Sequence, residues 1–277
     1  MQIFDSHTHL NDTPYAGQEA DFIQQAAALD VVEMAIVGSD TVLNDGALRL
    51  AQQYANLSAI IGWHPESAKD YTKATEATLI EQLQRPEVVA LGEIGLDYHW
   101  DTSPRDVQQR VFARQIAIAK SLNMPISVHT RDALEATYQI LKENDVRDCG
   151  GIIHSFNGDS EWLKRFMDLG MHISFSGVVS FKNAHDVHEA AKICPLDTML
   201  VETDAPYLTP TPYRGKQNQP GYTWYVVEAI AQLRDVDPAE IAAATYANAH
   251  QLFKLGAVWK KQFKKWLWSK AEMIQNA

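Results

Sequence analysis

Two histidines separated by one residue stand near the start of the chain, at the end of a short apolar run. Residues 3–10 read IFDSHTHL, which places His7 and His9 two positions apart. In an extended strand, side chains at positions i and i+2 point to the same face, so the two imidazoles would project side by side. Two imidazoles need this arrangement to bind one metal ion, although single histidines often have other binding or catalytic roles. The remainder of the chain therefore determines what the pair means.

Later apolar runs are also followed by imidazole or carboxylate side chains. These are Glu93 after VVAL at 88–91, His129 after PISV at 125–128, His154 after GII at 151–153, and Glu202 and Asp204 after MLV at 199–201. Charged side chains are rarely buried unless they are paired or bound to metal. Histidine combined with carboxylate suits divalent cations such as Zn²⁺, Mn²⁺ or Mg²⁺.

The number of these residues predicts two metal ions, because six ligands exceed what one tetrahedral site takes. The six are His7, His9, Glu93, His129, His154 and Asp204. Two ions about 4 Å apart can hold an attacking hydroxide and the leaving oxygen of a phosphodiester. Glu93 is a natural bridge between the ions, because its strand would lie roughly opposite the first one.

These residues can meet only if the strands that carry them share one edge, and the pattern of the chain predicts this. Short apolar runs lie at 2–5, 34–37, 59–61, 88–91, 125–128, 151–153, 171–175 and 199–201, and segments of helical pattern separate them. Uniformly apolar runs of this length are typical of buried parallel strands. We therefore expect an α/β fold, a (β/α)8 TIM barrel with an extra C-terminal helix, whose active site lies at the C-terminal rim. A doubly wound open sheet is the alternative, but no GxGxxG or GxxxxGK[ST] loop supports nucleotide binding on it.

Composition limits the remaining possibilities. The chain has 277 residues, a net charge of −11 and two cysteines without CxxC spacing, which is typical of a globular protein in the reducing cytoplasm. No apolar run is long enough to span a membrane, so no stable membrane insertion is expected. Residues 1–255 are predicted to form one domain. Residues 256–277, which carry a net charge of +4, would form a basic amphipathic tail.

Five segments together resemble the TatD family of metal-dependent hydrolases. They are HTH at 7–9, GEIGLDY at 92–98, VHTRDA at 128–133, HSFNG at 154–158 and ETDAPYL at 202–208. The RG at 214–215, the NQP at 218–220 and Asn248 also fit, so the resemblance covers about residues 1–255. It departs from the family at Ser155, where cysteine is frequent, and at Gln219, where the family has glutamate. The second departure affects expectations about substrate contacts rather than about the metal site.

The resemblance implies an amidohydrolase-type TIM barrel with metal-dependent deoxyribonuclease activity, expected to be a 3′-5′ exonuclease that uses Mg²⁺, with Zn²⁺ or Mn²⁺ as alternatives. By position, one metal site would consist of His7, His9, Glu93 and Asp204. The second site would consist of Glu93, His129 and His154, with Glu93 shared between the ions. Asp204 and Glu93 are the expected catalytic residues, and Asp204 could also act as the base that orients the nucleophilic water.

Substrate contacts are predicted at three further positions. Arg131 and Arg214 are the best candidates to clamp phosphate, because a guanidinium binds it through two hydrogen bonds. For Arg131 the alternative is an ion pair with Asp132 or another acidic residue. His64 would contact a phosphate or be a structural loop histidine, and Glu202 would support a metal-binding histidine from behind or form a salt bridge inside the barrel.

Two other functions remain open at this stage. The same site could hydrolyse an ester, a lactone, an amide or an aminoacyl-RNA, because fold and metals do not fix the substrate. The chain could also be a metal-stabilised scaffold whose basic tail binds a partner, although a complete set of ligands argues against this. The tail itself could bind a membrane surface or nucleic acid, or pack its aromatic residues on the acidic barrel.

Overall fold

Eight parallel strands and nine α-helices form the part of the chain that the computed structural model describes, residues 1–100 and 102–255. The strands are β1 (Ile3–Thr8), β2 (Val31–Val37), β3 (Leu57–Ile61), β4 (Val88–Asp97), β5 (Ile126–Arg131), β6 (Gly151–Ile153), β7 (Met171–Phe175) and β8 (Met199–Val201). The helices are α1 (Glu19–Ala28), α2 (Thr41–Gln53), α3 (Lys73–Gln82), α4 (Arg105–Ser121), α5 (Leu134–Glu143), α6 (Ser160–Asp168), α7 (His185–Ile193), α8 (Thr223–Arg234) and α9 (Pro238–Leu252). The strands are hydrogen-bonded in chain order from β1 to β8. Strand and helix alternate throughout, and α9 is additional, which confirms the predicted (β/α)8 barrel with an extra C-terminal helix.

Three strands extend past the C-terminal ends of the apolar runs that predicted them. β1, β4 and β5 continue through polar residues to Thr8, Asp97 and Arg131. Their main chains still pair in this region, as shown by the register that places Gly95 beside His129. The change from apolar to polar residues therefore marks where the side chains reach the C-terminal rim of the barrel, not where the strand ends. The runs at 151–153, 171–175 and 199–201 coincide with β6, β7 and β8.

Side chains join β1 to the segment that follows β8. The backbone N–H and the hydroxyl of Thr203 donate to the Asp5 carboxylate at 3.0 and 2.6 Å, and the Ser6 hydroxyl donates to the Val201 carbonyl at 3.0 Å. Burial raises the pKa of Asp5 to about 7, although the donors from Thr203 oppose this shift. One main-chain hydrogen bond, from Asp204 N to His7 O at 2.9 Å, completes the junction. The junction fixes the end of β8 against the strand that carries the two leading histidines.

The end of α9 fills the bottom of the barrel. Side chains from six strands form an inner apolar cluster with the end of the chain: Phe4, Ala35, Val37, Ile60, Ala90, Ile152, Leu200, Ala249, Phe253 and Leu255. The rings of Phe4 and Phe253 lie 5.7 Å apart. The barrel interior is therefore a packed core, as is usual for this fold, and its C-terminal rim is where an active site can form.

Two sequence predictions concern regions outside the barrel wall. None of the helices in the described ranges combines the length and the apolar character needed to cross a bilayer. The predicted basic tail at 256–277 lies outside the described residues.

Candidate metal centre

The structure brings the six predicted metal ligands together at the C-terminal rim. They come from five strands or from the residues just after them: His7 from β1 and His9 just after it, Glu93 from β4, His129 from β5, His154 after β6 and Asp204 after β8. All of them except the fully buried His7 line a cleft of about 690 Å³. His7 is fully buried and Glu93 is 4% exposed, so a charge on either side chain requires a close partner.

Glu93 lies at the middle of this group, and its two carboxylate oxygens face different partners. Oε2 is 3.5 Å from Nε2 of His7 and 3.5 Å from Nε2 of His9. Oε1 is 3.0 Å from Nδ1 of His129 and 2.9 Å from Nε2 of His154. The carboxylate therefore separates two sets of nitrogen atoms, one on each of its oxygens.

Asp204 lies beside the first of these sets, the Nε2 atoms of His7 and His9. Its Oδ1 lies 3.6 Å from Nε2 of His9 and 3.9 Å from Nε2 of His7. The two imidazole nitrogens are themselves 3.3 Å apart. His7, His9 and Asp204 therefore offer three potential ligand atoms around one point, next to Oε2 of Glu93.

The hydrogen bonds behind the rings determine which nitrogen atoms carry lone pairs. Nδ1 of His9 lies 3.0 Å from the Val37 carbonyl oxygen. This oxygen can only accept, so in the neutral ring Nδ1 carries the hydrogen and Nε2 carries a lone pair. By the same reasoning, Nδ1 of His154 donates to Glu202 at 3.2 Å and Nε2 of His129 donates to Asp97 at 2.9 Å. The opposite nitrogens of all three neutral rings then present lone pairs to carboxylate oxygens. Such converging lone pairs repel one another unless cations lie between them, so the residues fit divalent metal ions.

The electrostatics of the cluster lead to the same conclusion. Burial opposes protonation of His154, but the Glu93 and Glu202 carboxylates raise its pKa well above the usual value. Burial likewise opposes ionisation of Glu93, but His154, His64 and His129 bring its pKa well below the usual range. The Glu93 carboxylate therefore remains ionised and attracts positive charge, which either protons or metal ions can supply.

Carboxylates support both histidines of the second set. Asp97 and Glu202 are 1% and 0% exposed, and each accepts the ring N–H that points away from Glu93. His7, by contrast, has the neutral hydroxyl of Ser127 behind it at 3.3 Å. Sequence reasoning placed Glu202 behind a histidine or in a salt bridge, and the structure places it behind His154. It gave no role to Asp97, although a residue four positions after Glu93 on the same strand faces the same side.

Close packing between β4 and β5 depends on Gly95. This residue has a φ of +144°, and a Cβ at this position would overlap the carbonyl oxygen of His129. Glycine lacks a Cβ, so it allows the two strands to approach while Glu93 and His129 face each other.

His64 lies beside the second set but presents a proton to it. Its Nδ1 accepts the backbone N–H of Glu66 at 3.3 Å, so the neutral ring carries hydrogen on Nε2, which is 3.5 Å from Oε1 of Glu93. An N–H group does not bind a metal ion, but it can donate to a carboxylate or to a phosphate oxygen.

Aromatic and cationic side chains surround the mouth of the cleft. Trp100 and Tyr207 line it and are 50% and 57% exposed, and the Arg131 guanidinium lies 5.7 Å from the centre of the Trp100 ring. The predicted clamp Arg131 therefore lies in the cleft. Arg214 does not line it and instead lies 3.6 Å over the ring of Phe181.

Comparison with known proteins places this arrangement in a family. A family model described as TatD related DNase matches residues 4–254. The chain belongs to this family. It is 44% identical over 253 residues to a Bacillus subtilis protein named uncharacterized metal-dependent hydrolase YabD, an alignment that covers 91% of this chain and 99% of the relative. It is 34% identical over 257 residues to the 3′-5′ ssDNA/RNA exonuclease TatD of Escherichia fergusonii, covering 91% of this chain and 98% of the relative.

A solved structure of another TatD homologue has the same fold. The Escherichia coli K12 protein YjjV superimposes with a TM-score of 0.86 at 30% sequence identity, covering 91% of this chain and 98% of its own. The family resemblance predicted from the sequence is therefore confirmed.

Proposed function

We propose that this TatD family member is a metal-dependent phosphodiesterase that removes nucleotides from the 3′ end of single-stranded DNA. The family description and the name of the Escherichia fergusonii relative support both the bond and the polymer. The rim supports the requirement for metal, since its lone pairs and carboxylates converge. A phosphodiester is itself anionic, so cations are needed before it can approach these carboxylates.

The two oxygens of Glu93 carry this proposal. We assign one divalent ion to His7, His9, Glu93 and Asp204, and a second to Glu93, His129 and His154, with Mg²⁺ as the expected metal in function. When bound, two such ions would neutralise phosphate charge and lower the pKa of water to allow nucleophilic attack. Within the chain, the histidines hold the ligand geometry and Glu93 fixes the spacing between the two sets.

Asp204 is the candidate base. Burial opposes its ionisation, but His9, His154 and His7 lower its pKa below the usual value, so it is ionised at neutral pH. Its side chain is 13% exposed and lines the cleft, which allows it to accept a proton from a water molecule beside the phosphate. We assign to His64 and Arg131, which line the cleft, the role of donating to phosphate oxygens. Arg214 is too far along the loop to line the same cleft, so we assign it no contact with the scissile phosphate.

A second candidate, hydrolysis of an aminoacyl-RNA ester, is favoured by one observation. The cleft is lined by Asp12 and Glu66, and within the described ranges neither forms an ion pair with lysine or arginine. Unpaired carboxylates near the metal centre would attract the ammonium group of an aminoacyl substrate more readily than a second phosphate.

The test begins with chain stripped by EDTA and a 5′-labelled single-stranded oligonucleotide, to which Mg²⁺, Mn²⁺ or Zn²⁺ is added back. We expect the labelled strand to shorten stepwise, and only when a metal ion has been added back. Asp204→Asn should lower turnover by several orders of magnitude while leaving the fold intact, since it removes a charged ligand and the base. Asp132→Asn is the matched control, because Asp132 has nearly the same backbone φ, 52° against 53° for Asp204, but does not line the cleft.

The outcomes separate the two candidates. Near-normal turnover in Asp204→Asn would refute the assignment of Asp204 as a metal ligand and base. If no metal supports shortening of the strand and the protein releases amino acid from aminoacyl-RNA, its function is that of a deacylase and not that of a nuclease.

A further inference from the structure

A basic and aromatic patch lies on two loops next to the cleft. We define the patch by six residues: Phe181, Lys182, Tyr213, Arg214, Lys216 and Tyr222. The rings of Tyr213 and Tyr222 are stacked, with centres 4.6 Å apart and planes 7° apart. The Lys216 ammonium lies 5.6 Å from the centre of the Tyr213 ring, so a cation lies beside this pair of rings.

The cations of this patch are not used within the protein. Four other arginines in the described ranges form ion pairs with carboxylates, as Arg114 does with Glu76 and Arg165 with Glu135. By contrast, the structure of residues 1–100 and 102–255 gives no carboxylate partner to Lys182, Arg214 or Lys216. Arg214 is nevertheless held in place, because its guanidinium is stacked on Phe181 and keeps its N–H groups at the edge.

The charge of the two loops differs from that of the whole chain. Residues 176–185 and 205–227 contain the three cations and no aspartate or glutamate, although the chain has 35 acidic residues against 24 basic ones. Carboxylates occur directly beyond these segments, at Asp186, Asp204 and Glu228. A local positive surface on a protein of net charge −11 attracts anions and little else.

The patch is continuous with the wall of the cleft. Val178 and Leu208, which line the cleft, belong to the same two loops. These loops are tied together where the backbone N–H of Thr211 donates to the Ser180 hydroxyl at 2.9 Å. A polymer whose end lies in the cleft would therefore meet the patch as it leaves the protein.

We propose that this patch binds the backbone and bases of a single-stranded polynucleotide upstream of the bond that is cleaved. Cations neutralise phosphates and stacked rings accept bases of any sequence, the combination found in proteins that bind single strands without sequence preference. This inference rests on the proposed nuclease function and deepens it. It explains how a chain of strongly negative charge binds a polyanion, since the three cations lie outside the acidic cleft.

The test measures binding and cleavage separately. Fluorescence anisotropy with labelled dT20 in EDTA reports binding without turnover, and a triple variant Lys182→Gln, Arg214→Gln, Lys216→Gln removes the patch charges. The slope of log Kd against log salt should become shallower by about 2, because each phosphate contact to a single strand contributes about 0.7. In metal, the KM for dT20 should rise at least tenfold. Cleavage of bis(p-nitrophenyl) phosphate, which is too short to leave the cleft, should not change.

A control variant carries the same loss of charge elsewhere. Arg110→Gln, Lys142→Gln, Lys164→Gln alters three exposed cations on the outer helices and should leave both the salt slope and the KM for dT20 unchanged. Equal effects in the two triple variants, or an unchanged Kd in the patch variant, would overturn the proposal. So would loss of binding to anionic phosphatidylglycerol vesicles without loss for dT20, which would make the patch a membrane surface. Wild-type chain that binds dT20 through the patch but cleaves nothing would refute the nuclease function alone.

Discussion

Asparagine at position 97 should weaken one metal site by changing the nitrogen that His129 offers. Oδ1 of Asp97 accepts the backbone N–H groups of His99 and Trp100, both at 2.9 Å, so the amide oxygen of the variant must occupy that position. Its NH2 group then faces Nε2 of His129, which becomes the acceptor. The proton moves to Nδ1, which points at Glu93 from 3.0 Å and can no longer bind a metal ion.

The size of the effect follows from the bond that is lost. Burial opposes ionisation of Asp97, but hydrogen bonds from His129 and the backbone lower its pKa to about 2, so the bond to the ring is charge-assisted. Such bonds contribute about 1.5–3 kcal/mol, which corresponds to roughly 10- to 150-fold in affinity. This agrees with losses of about 10- to 100-fold when residues behind a metal-binding histidine are changed.

The assay is competition between metal-free protein and a chromophoric chelator for Zn²⁺ or Co²⁺. Wild-type chain should bind two equivalents, and Asp97→Asn should keep one tight site and weaken the other by the factor above. Glu202→Gln should do the same, because Glu202 holds His154 in the same way. Ser127→Ala is the comparison at the other site and should cost less than tenfold, since a hydroxyl is neutral. If Asp97→Asn binds two equivalents as tightly as the wild type, with ¹⁵N shifts that still show hydrogen on Nε2 of His129, Asp97 does not determine which nitrogen of His129 binds the metal ion.

Three further predictions address stability. Gly95→Ala should lower the free energy of unfolding by about 3 kcal/mol through backbone strain and overlap with His129. Gly17 has a φ of +79° but open space around it, so Gly17→Ala should lower the free energy of unfolding by only about 1 kcal/mol. Equal losses for the two variants in a urea titration would contradict this. Glu76→Gln should destabilise by no more than about 1 kcal/mol near pH 7. The Arg114 guanidinium lowers the pKa of Glu76 below its usual value of 4.5, so this loss should be complete above that value and should disappear as the pH falls through the lowered pKa; a loss that stays the same once the carboxyl is protonated would contradict it. Saturating Mn²⁺ at 100 times its Kd should raise the free energy of unfolding by about 2.7 kcal/mol per site, and calorimetry showing no rise in Tm would contradict binding to the folded state.

Much of the centre could be predicted because strand geometry is regular. The i, i+2 spacing of His7 and His9 determines that they share a face, and the barrel brings strand ends to one rim. These rules need only the order of residues along the chain. They could not assign Asp97, because its role depends on which ring nitrogen of His129 faces it, and that depends on the register between β4 and β5.

Loops were less predictable for a physical reason. Arg214 was expected at a phosphate in the cleft, but its position is set by stacking on Phe181, which lies 33 positions earlier in the chain. Tyr207 was not singled out, since an exposed ring in a loop gives no periodic signal. Tertiary contacts, rather than local sequence, determine where such residues lie.

Phe253 and Leu255 pack in the inner apolar cluster at the end of the barrel opposite the cleft, and this has a practical consequence for immobilising the protein. The Met1 amino group lies 3.6 Å from Asp30, just before β2, so the start of the chain and Leu255 are both at the N-terminal ends of the strands. A bead or fusion partner linked through residue 1 would therefore be attached on the side of the barrel away from the cleft. A tethered molecule should accept a long polymer as freely as one in solution.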